Sequence, residues 1–159
     1  MLSSRHLFVA SALFVSLGAA AQTALYAIYG TKATGFAGTV TSINVGVLPS
    51  GKREECERHI AVFEAAFRRS KLPSSVELIP SQCASVVPAS LLPMVIGLRL
   101  PDAYVVKQSG NWAPVFTAWY GLSTIDPTMC SRLVEAMRSK LNPKEVEVGC
   151  LPPSSTESK

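Results

Sequence analysis

Along TSINVGVL (41–48) apolar and polar positions alternate. Ile43, Val45 and Val47 fall on one side and Ser42, Asn44 and Gly46 on the other, the period of two that a half-buried strand produces. The period then changes. In PSGKREECERHIAVFEAAFRRSKL the apolar positions Cys56, Ile60, Phe63 and Phe67 recur at spacings of four, three and four, one stripe of an amphipathic helix. Pro73 ends that helix, and SVELIP (75–80) predicts a short strand before Cys83.

The second half repeats the order. PVFTAWYGL (114–122) predicts a strand with Ala118 and Tyr120 on one side and Thr117 and Trp119 on the other. In STIDPTMC, Asp126 suits a helix cap and Pro127 the first turn, where its missing N–H costs nothing. Cys130, Leu133, Met137 and Leu141 continue as a helical stripe, and EVEVGC (145–150) closes the unit as a strand. Between the halves, MVIGLRLPDAYVVKQSGNW predicts further strand, with turns at Pro101-Asp102 and Ser109-Gly110-Asn111. The sum is an α+β class: two helices packed on one face of a mainly antiparallel sheet of four to six strands, the opposite sheet face left open.

Each half thus holds one cysteine near a helix start and one after the following strand: Cys56 and Cys83, then Cys130 and Cys150. Four cysteines allow three pairings. A helix of about 15 residues runs back roughly 22 Å, and a strand of about six residues returns roughly 20 Å. The cysteine after the strand arrives beside the one at the helix start, which predicts Cys56 with Cys83 and Cys130 with Cys150. No Cys-x-x-Cys spacing occurs, and His59 is the only histidine after residue 6, so no metal site is expected.

At the N-terminus, Arg5 precedes the apolar run Leu7–Leu17, and Ala19, Ala20 and Ala21 supply small residues for signal cleavage. Residues 1–21 therefore read as an export signal cut before Gln22. The rival is an uncleaved anchor over 7–30, a stretch without charge and long enough for a bilayer, which needs about 20 residues. Either way residues 41–150 are expected outside the cytoplasm as one domain, after a flexible linker (22–40) and before a disordered polar tail (151–159). Paired cysteines fit that compartment. The formal net charge of +4 over 159 residues is mild and scattered, so no nucleic acid partner is expected. A membrane partner follows only if the anchor stays.

Catalytic motifs do not emerge. The chain has no Gly-x-Ser-x-Gly, His-Glu-x-x-His, phosphate loop or dinucleotide fingerprint, and nothing places two carboxylates across a cleft. The expectation is a non-enzyme without cofactors. His59 beside Ile60 reads as a solvated or core-edge histidine. Glu54, Glu55 and Glu57 suit the positive end of the first helix and Arg68-Arg69-Ser70-Lys71 its negative end. Trp112 sits at a strand start, where it covers a sheet edge.

INVGVLPSGKREECERHIAVFEAAF resembles the first half of a SPOR (sporulation-related repeat) domain, with its Val-x-Val-Gly strand, polar loop and helix. DAYVVKQSGNWAPVFTAWYGLSTIDPTMCSRLVEAMRSKL is similar to that family's second strand, turn, third strand and second helix, and Gly46 and Gly121 stand at its strand-end glycines. The resemblance covers residues 41–150. It departs from the family at Thr117 and Trp119, where basic residues are usual, in an insertion over 73–101, and in the cysteines. It implies a βαββαβ, ferredoxin-like fold that binds peptidoglycan glycan on its open sheet face in the periplasm or cell envelope. In that register Trp119 is a stacking platform for a sugar ring, with Thr117, Asn44 and Ser42 as polar partners. The alternative is a periplasmic protein–protein interaction module, an inhibitor or accessory subunit, that uses the same face or the apolar insertion SQCASVVPASLLPMVIGLRLP (81–101) to dock an envelope protein. A purely structural envelope role is a third reading.

Overall fold

A computed structural model describes residues 23–36, 38–110, 114–121, 128–139 and 146–154. The elements run β1 (Leu25–Gly35), β2 (Gly38–Leu48), α1 (Arg53–Arg69), β3 (Val76–Ala84), α2 (Leu92–Val95), β4 (Ala103–Gly110), β5 (Val115–Tyr120), α3 (Met129–Arg138) and β6 (Val146–Leu151). The strands form one six-stranded sheet in the order β3-β1-β2-β5-β4-β6, with every neighbouring pair antiparallel. The α+β class and the antiparallel sheet stand as the sequence predicts.

The arrangement is not the ferredoxin-like one, because an additional strand enters it. Residues expected to lie in a linker form β1, which pairs with β2 along its whole length and stands between β2 and β3. Ala27, Ile28 and Tyr29 are buried, so the last six residues of the stretch 7–30 belong to the domain core and not to a membrane span. No described helix is long and apolar enough to cross a membrane. The proposed signal over 1–21 lies outside the described residues, as do Trp112, the cap at Asp126-Pro127 and Leu141. The tail, expected to be disordered from residue 151, stays ordered through 154: Leu151 ends β6 and the Ser154 N–H donates to the Leu100 carbonyl at 3.0 Å.

Both disulfides are those the out-and-back geometry predicts, Cys56–Cys83 with 6.0 Å and Cys130–Cys150 with 5.4 Å between Cα atoms. Two such pairs suit an oxidising, extracellular environment. They also fix the layers. Ala27 pairs with Cys83 and with Gly46, Gly46 with Val115, Val115 with Gln108, and Gln108 with Val148. Paired residues project to the same side of a sheet, so this rung marks one face from edge to edge. Cys83 on that face binds α1, and Cys150, two residues from Val148, binds α3. Both long helices therefore cover this side, α1 over β1 and β3, α3 over β4 and β6.

The opposite face is not open. Ile28, Val45, Val105, Phe116 and Ala118 meet Val87, Leu91, Met94 and Leu100 of the insertion in one buried cluster. Ala103, Tyr104, Val105 and Val106 are buried in succession, which a strand shows only when both of its faces are covered. The reason is compositional: one side of β2 and β5 is apolar, and the insertion, uncharged from Ser81 to Leu98, supplies the apolar side chains that keep water from it.

Candidate functional site

The register brings all four candidate glycan-binding residues together. Ser42 stands opposite Trp119 and Asn44 opposite Thr117 on the two central strands. Ser42 and Asn44 precede Gly46 by four and two residues, and Thr117 and Trp119 follow Val115 by two and four, so the set shares the face of α1 and α3. The expectation placed Trp119 on the sheet face opposite the helices; the register places it on the same face as the helices. Alternation separates the two sides of a strand but does not say which side the helices take.

The polar side chains of Ser42, Asn44 and Thr117 are already engaged. Thr117 Oγ1 donates to Asn44 Oδ1 at 2.7 Å, Asn44 Nδ2 donates to the Tyr29 carbonyl at 3.4 Å, and the Thr31 and Ser42 hydroxyls bond at 2.9 Å. Ser42 and Thr117 are 7% and 3% exposed. Ser42, Asn44 and Thr117 thus satisfy one another and the neighbouring β1 within the sheet, as buried polar groups must. Trp119 is half-buried, and its Nε1 is sealed from solvent without a hydrogen-bond partner among the described residues.

Beside the strip is a cluster that alternation in residues 41–48 does not reveal, because half of it comes from β1. Tyr29 packs on Phe63 of α1, ring centroids 4.4 Å apart, and its hydroxyl lies 3.0 Å from His59 Nε2. Burial pushes the Tyr29 phenol up to about 12 and holds the His59 imidazole below its ordinary value. Both groups are therefore neutral at physiological pH, joined by an uncharged hydrogen bond. Gly46 makes room for the ring: a Cβ there would lie 3.2 Å from His59 Nε2. The arrangement seats α1 on β1, the core-edge role expected for His59.

The insertion presents different chemistry. Its inner side is core, but Val86, Leu92, Ile96 and Leu98 are 74%, 45%, 61% and 56% exposed. No charged side chain occurs between Ser81 and Leu98. The segment is held by its own backbone bonds, Leu92 N–H to the Pro88 carbonyl at 3.0 Å and Leu98 N–H to the Pro93 carbonyl at 2.8 Å, and Gly97 turns it at φ +82°. The exposed aliphatic groups are thus fixed in place on a shaped cap. A shallow depression lies elsewhere, between α3 and β6, with Val134, Arg138, Val148 and the Cys130–Cys150 bridge in its walls. Among the described residues, no group of three His, Cys, Asp or Glu side chains gathers as a metal site. Compared with protein-family models, with curated proteins and with solved structures, the chain finds no match.

Proposed function

We propose that the chain is an exported, non-catalytic interaction module of the periplasm or cell envelope that docks a protein partner through the outer side of residues 86–98. The observation that carries this reading is the exposure of Val86, Leu92, Ile96 and Leu98 on a segment whose other side is core. Apolar side chains kept out of water contribute roughly 25 cal/mol per Å² of buried area, so a fixed aliphatic patch gains by being covered. Its chemistry selects the partner class. An aliphatic, uncharged surface matches the centre of a protein–protein interface, whereas sugar recognition calls for an accessible aromatic platform and free polar groups. The disulfides and the two-sided core then serve as the scaffold.

A photoreactive amino acid at position 96 tests it. One discrete crosslinked protein is expected in the envelope, lost when Leu92 and Leu98 are both serine, and absent when the probe is moved to position 53 on α1. Equal adducts at both positions would sink the reading. The peptidoglycan role implied by the SPOR resemblance has its own test. Retention on purified sacculi that disappears in Trp119→Ala, with circular dichroism unchanged, would restore the Trp119 strip as a glycan site.

A further inference from the structure

We propose that the outer edge of β6, with the depression between it and α3, takes an extended peptide as an added strand. The parity of the ladder fixes which backbone groups face outward. The Val47 N–H donates to the Pro114 carbonyl at 2.9 Å. In the β2–β5 register, Phe116 and Ala118 therefore turn their N–H and C=O groups to β2, and Thr117 and Trp119 turn theirs to β4. Carried across β4, this leaves Val105 and Lys107 bonded to Leu151 and Gly149. The backbone groups of Val148 and Cys150 consequently point away from the sheet.

Among the described residues, one side chain guards these groups. Arg138 Nη2 donates to the Val148 carbonyl at 3.2 Å. The other edge is blocked more thoroughly. In β3, Pro80 brings no N–H, the register shifts between Ile28 and Gly30, and the Val76 N–H is taken by the Pro73 carbonyl at 3.0 Å. Bulges and prolines of this kind are how edge strands are closed to further pairing. A single side chain on one carbonyl is a reversible block.

The depression gives the added strand a seat. Cys130, Val134 and Arg138, spaced by four along α3, form one wall and β6 the other, with the disulfide tying the walls at one end. α3 has no fully buried residue. Its 10 residues span about 15 Å, the length of about five residues of strand. Outward backbone groups on alternate residues match a chain with the same repeat, and that repeat would bring every second side chain of the guest toward the wall of Cys130, Val134 and Arg138. This is strand addition beside a helix. The surface is separate from the insertion patch, so either proposal can fail without the other.

The full chain is tested by amide exchange and by a random seven-residue phage-displayed peptide library. In the free protein the Val148 and Cys150 amides should exchange fast while those of Gly149 and Leu151 are protected. Selected peptides should protect Val148 and Cys150. N-methylation of alternate peptide residues should abolish binding in one parity and spare it in the other. Arg138→Ala should tighten binding about fivefold, the equivalent of one hydrogen bond no longer displaced. The proposal is overturned if Val148 is already protected in the free chain, which would mean that residues 155–159 or a second copy occupy the edge. It is equally overturned if no peptide is enriched, if peptides perturb residues 86–98 instead of β6, or if both N-methyl parities or Arg138→Ala leave affinity unchanged.

Discussion

Gly121 ends β5 at φ +76°, and a Cβ placed there would lie 2.0 Å from the Thr39 carbonyl. Gly38 also has a left-handed backbone, φ +112°, but open space around it. The left-handed region costs a non-glycine residue about 1 to 3 kcal/mol, so Gly38→Ala should lose roughly 1 kcal/mol in urea denaturation. Gly121→Ala must add a backbone clash and should lose at least about 3 kcal/mol; equal losses would show that the contact with Thr39 is not tight. His59 gives a prediction in pH. Burial lowers its pKa, so the folded chain binds this proton less readily than the unfolded chain, whose imidazole titrates near about 6.5. The contribution of neutral His59 is complete above that value and is lost as pH falls below it toward the folded pKa. His59→Gln, which keeps an acceptor for the Tyr29 hydroxyl, should flatten that part of the stability–pH curve and leave stability at pH 8 nearly unchanged. An unaltered slope would mean that the imidazole is not desolvated by α1 and β1.

The elements differ in how they are held, and in how far the sequence announces them. The α1 stripe of Cys56, Ile60, Phe63 and Phe67 is legible because a 3.6-residue period survives in one dimension, and the helix runs as that stripe predicts, Arg53–Arg69, with Arg68 and Arg69 in its last turn. The disulfides are legible because helix and strand lengths alone return one cysteine to the other. β1 is not, because its buried residues Ala27, Ile28, Tyr29 and Gly30 follow one another without alternation, and an uncharged run beside a signal-like segment has the composition of an anchor as much as of a core strand. A second contrast concerns the helices. α1 buries Cys56 and sets Phe63 against Tyr29, while α3 has no fully buried residue and is tied by its disulfide and by Arg138 on the Val148 carbonyl. The two bridges, at sequence separations of 27 and 20, restrict the unfolded chain by a similar amount, about 3.5 kcal/mol each in the chain-entropy estimate. Their removal should nevertheless look different. In hydrogen exchange by mass spectrometry, Cys130→Ser with Cys150→Ser should deprotect residues 129–138 selectively. Cys56→Ala with Cys83→Ala should leave α1 protected and lower global stability. Selective loss of α1 in the second variant would show that the aromatic contacts do not hold it.

At the scale of the molecule, the strand-and-helix order gives the α+β class, but it leaves open what lies on each side of the sheet. Alternation sorts Ile43, Val45, Phe116 and Ala118 from Ser42, Asn44, Thr117 and Trp119. A polar row invites the inference that it is the side opposite the helices, and here that row is on their side, with Ser42, Asn44 and Thr117 hydrogen-bonded within the sheet. The apolar row needs a cover, and the chain provides one in the insertion, whose short helix and prolines show neither a strand nor a helix period. What does point to it is composition: an uncharged segment from Ser81 to Leu98 is too apolar to be only a connector. The division of labour within that segment is sharp enough to test. Met94 is 0% exposed and packs in the cluster with Ile28, Val45 and Phe116, while Ile96, two residues on, is 61% exposed. Truncating a buried methionine removes its transfer energy and leaves a cavity, so Met94→Ala should cost about 2 to 4 kcal/mol. Ile96→Ser changes a side chain already in water and should stay within about 0.5 kcal/mol. Thermal denaturation of the two variants beside the parent chain separates a true second layer from a loose flap: a flap would leave Met94→Ala as stable as Ile96→Ser, and the sheet beneath it would then be accessible after all.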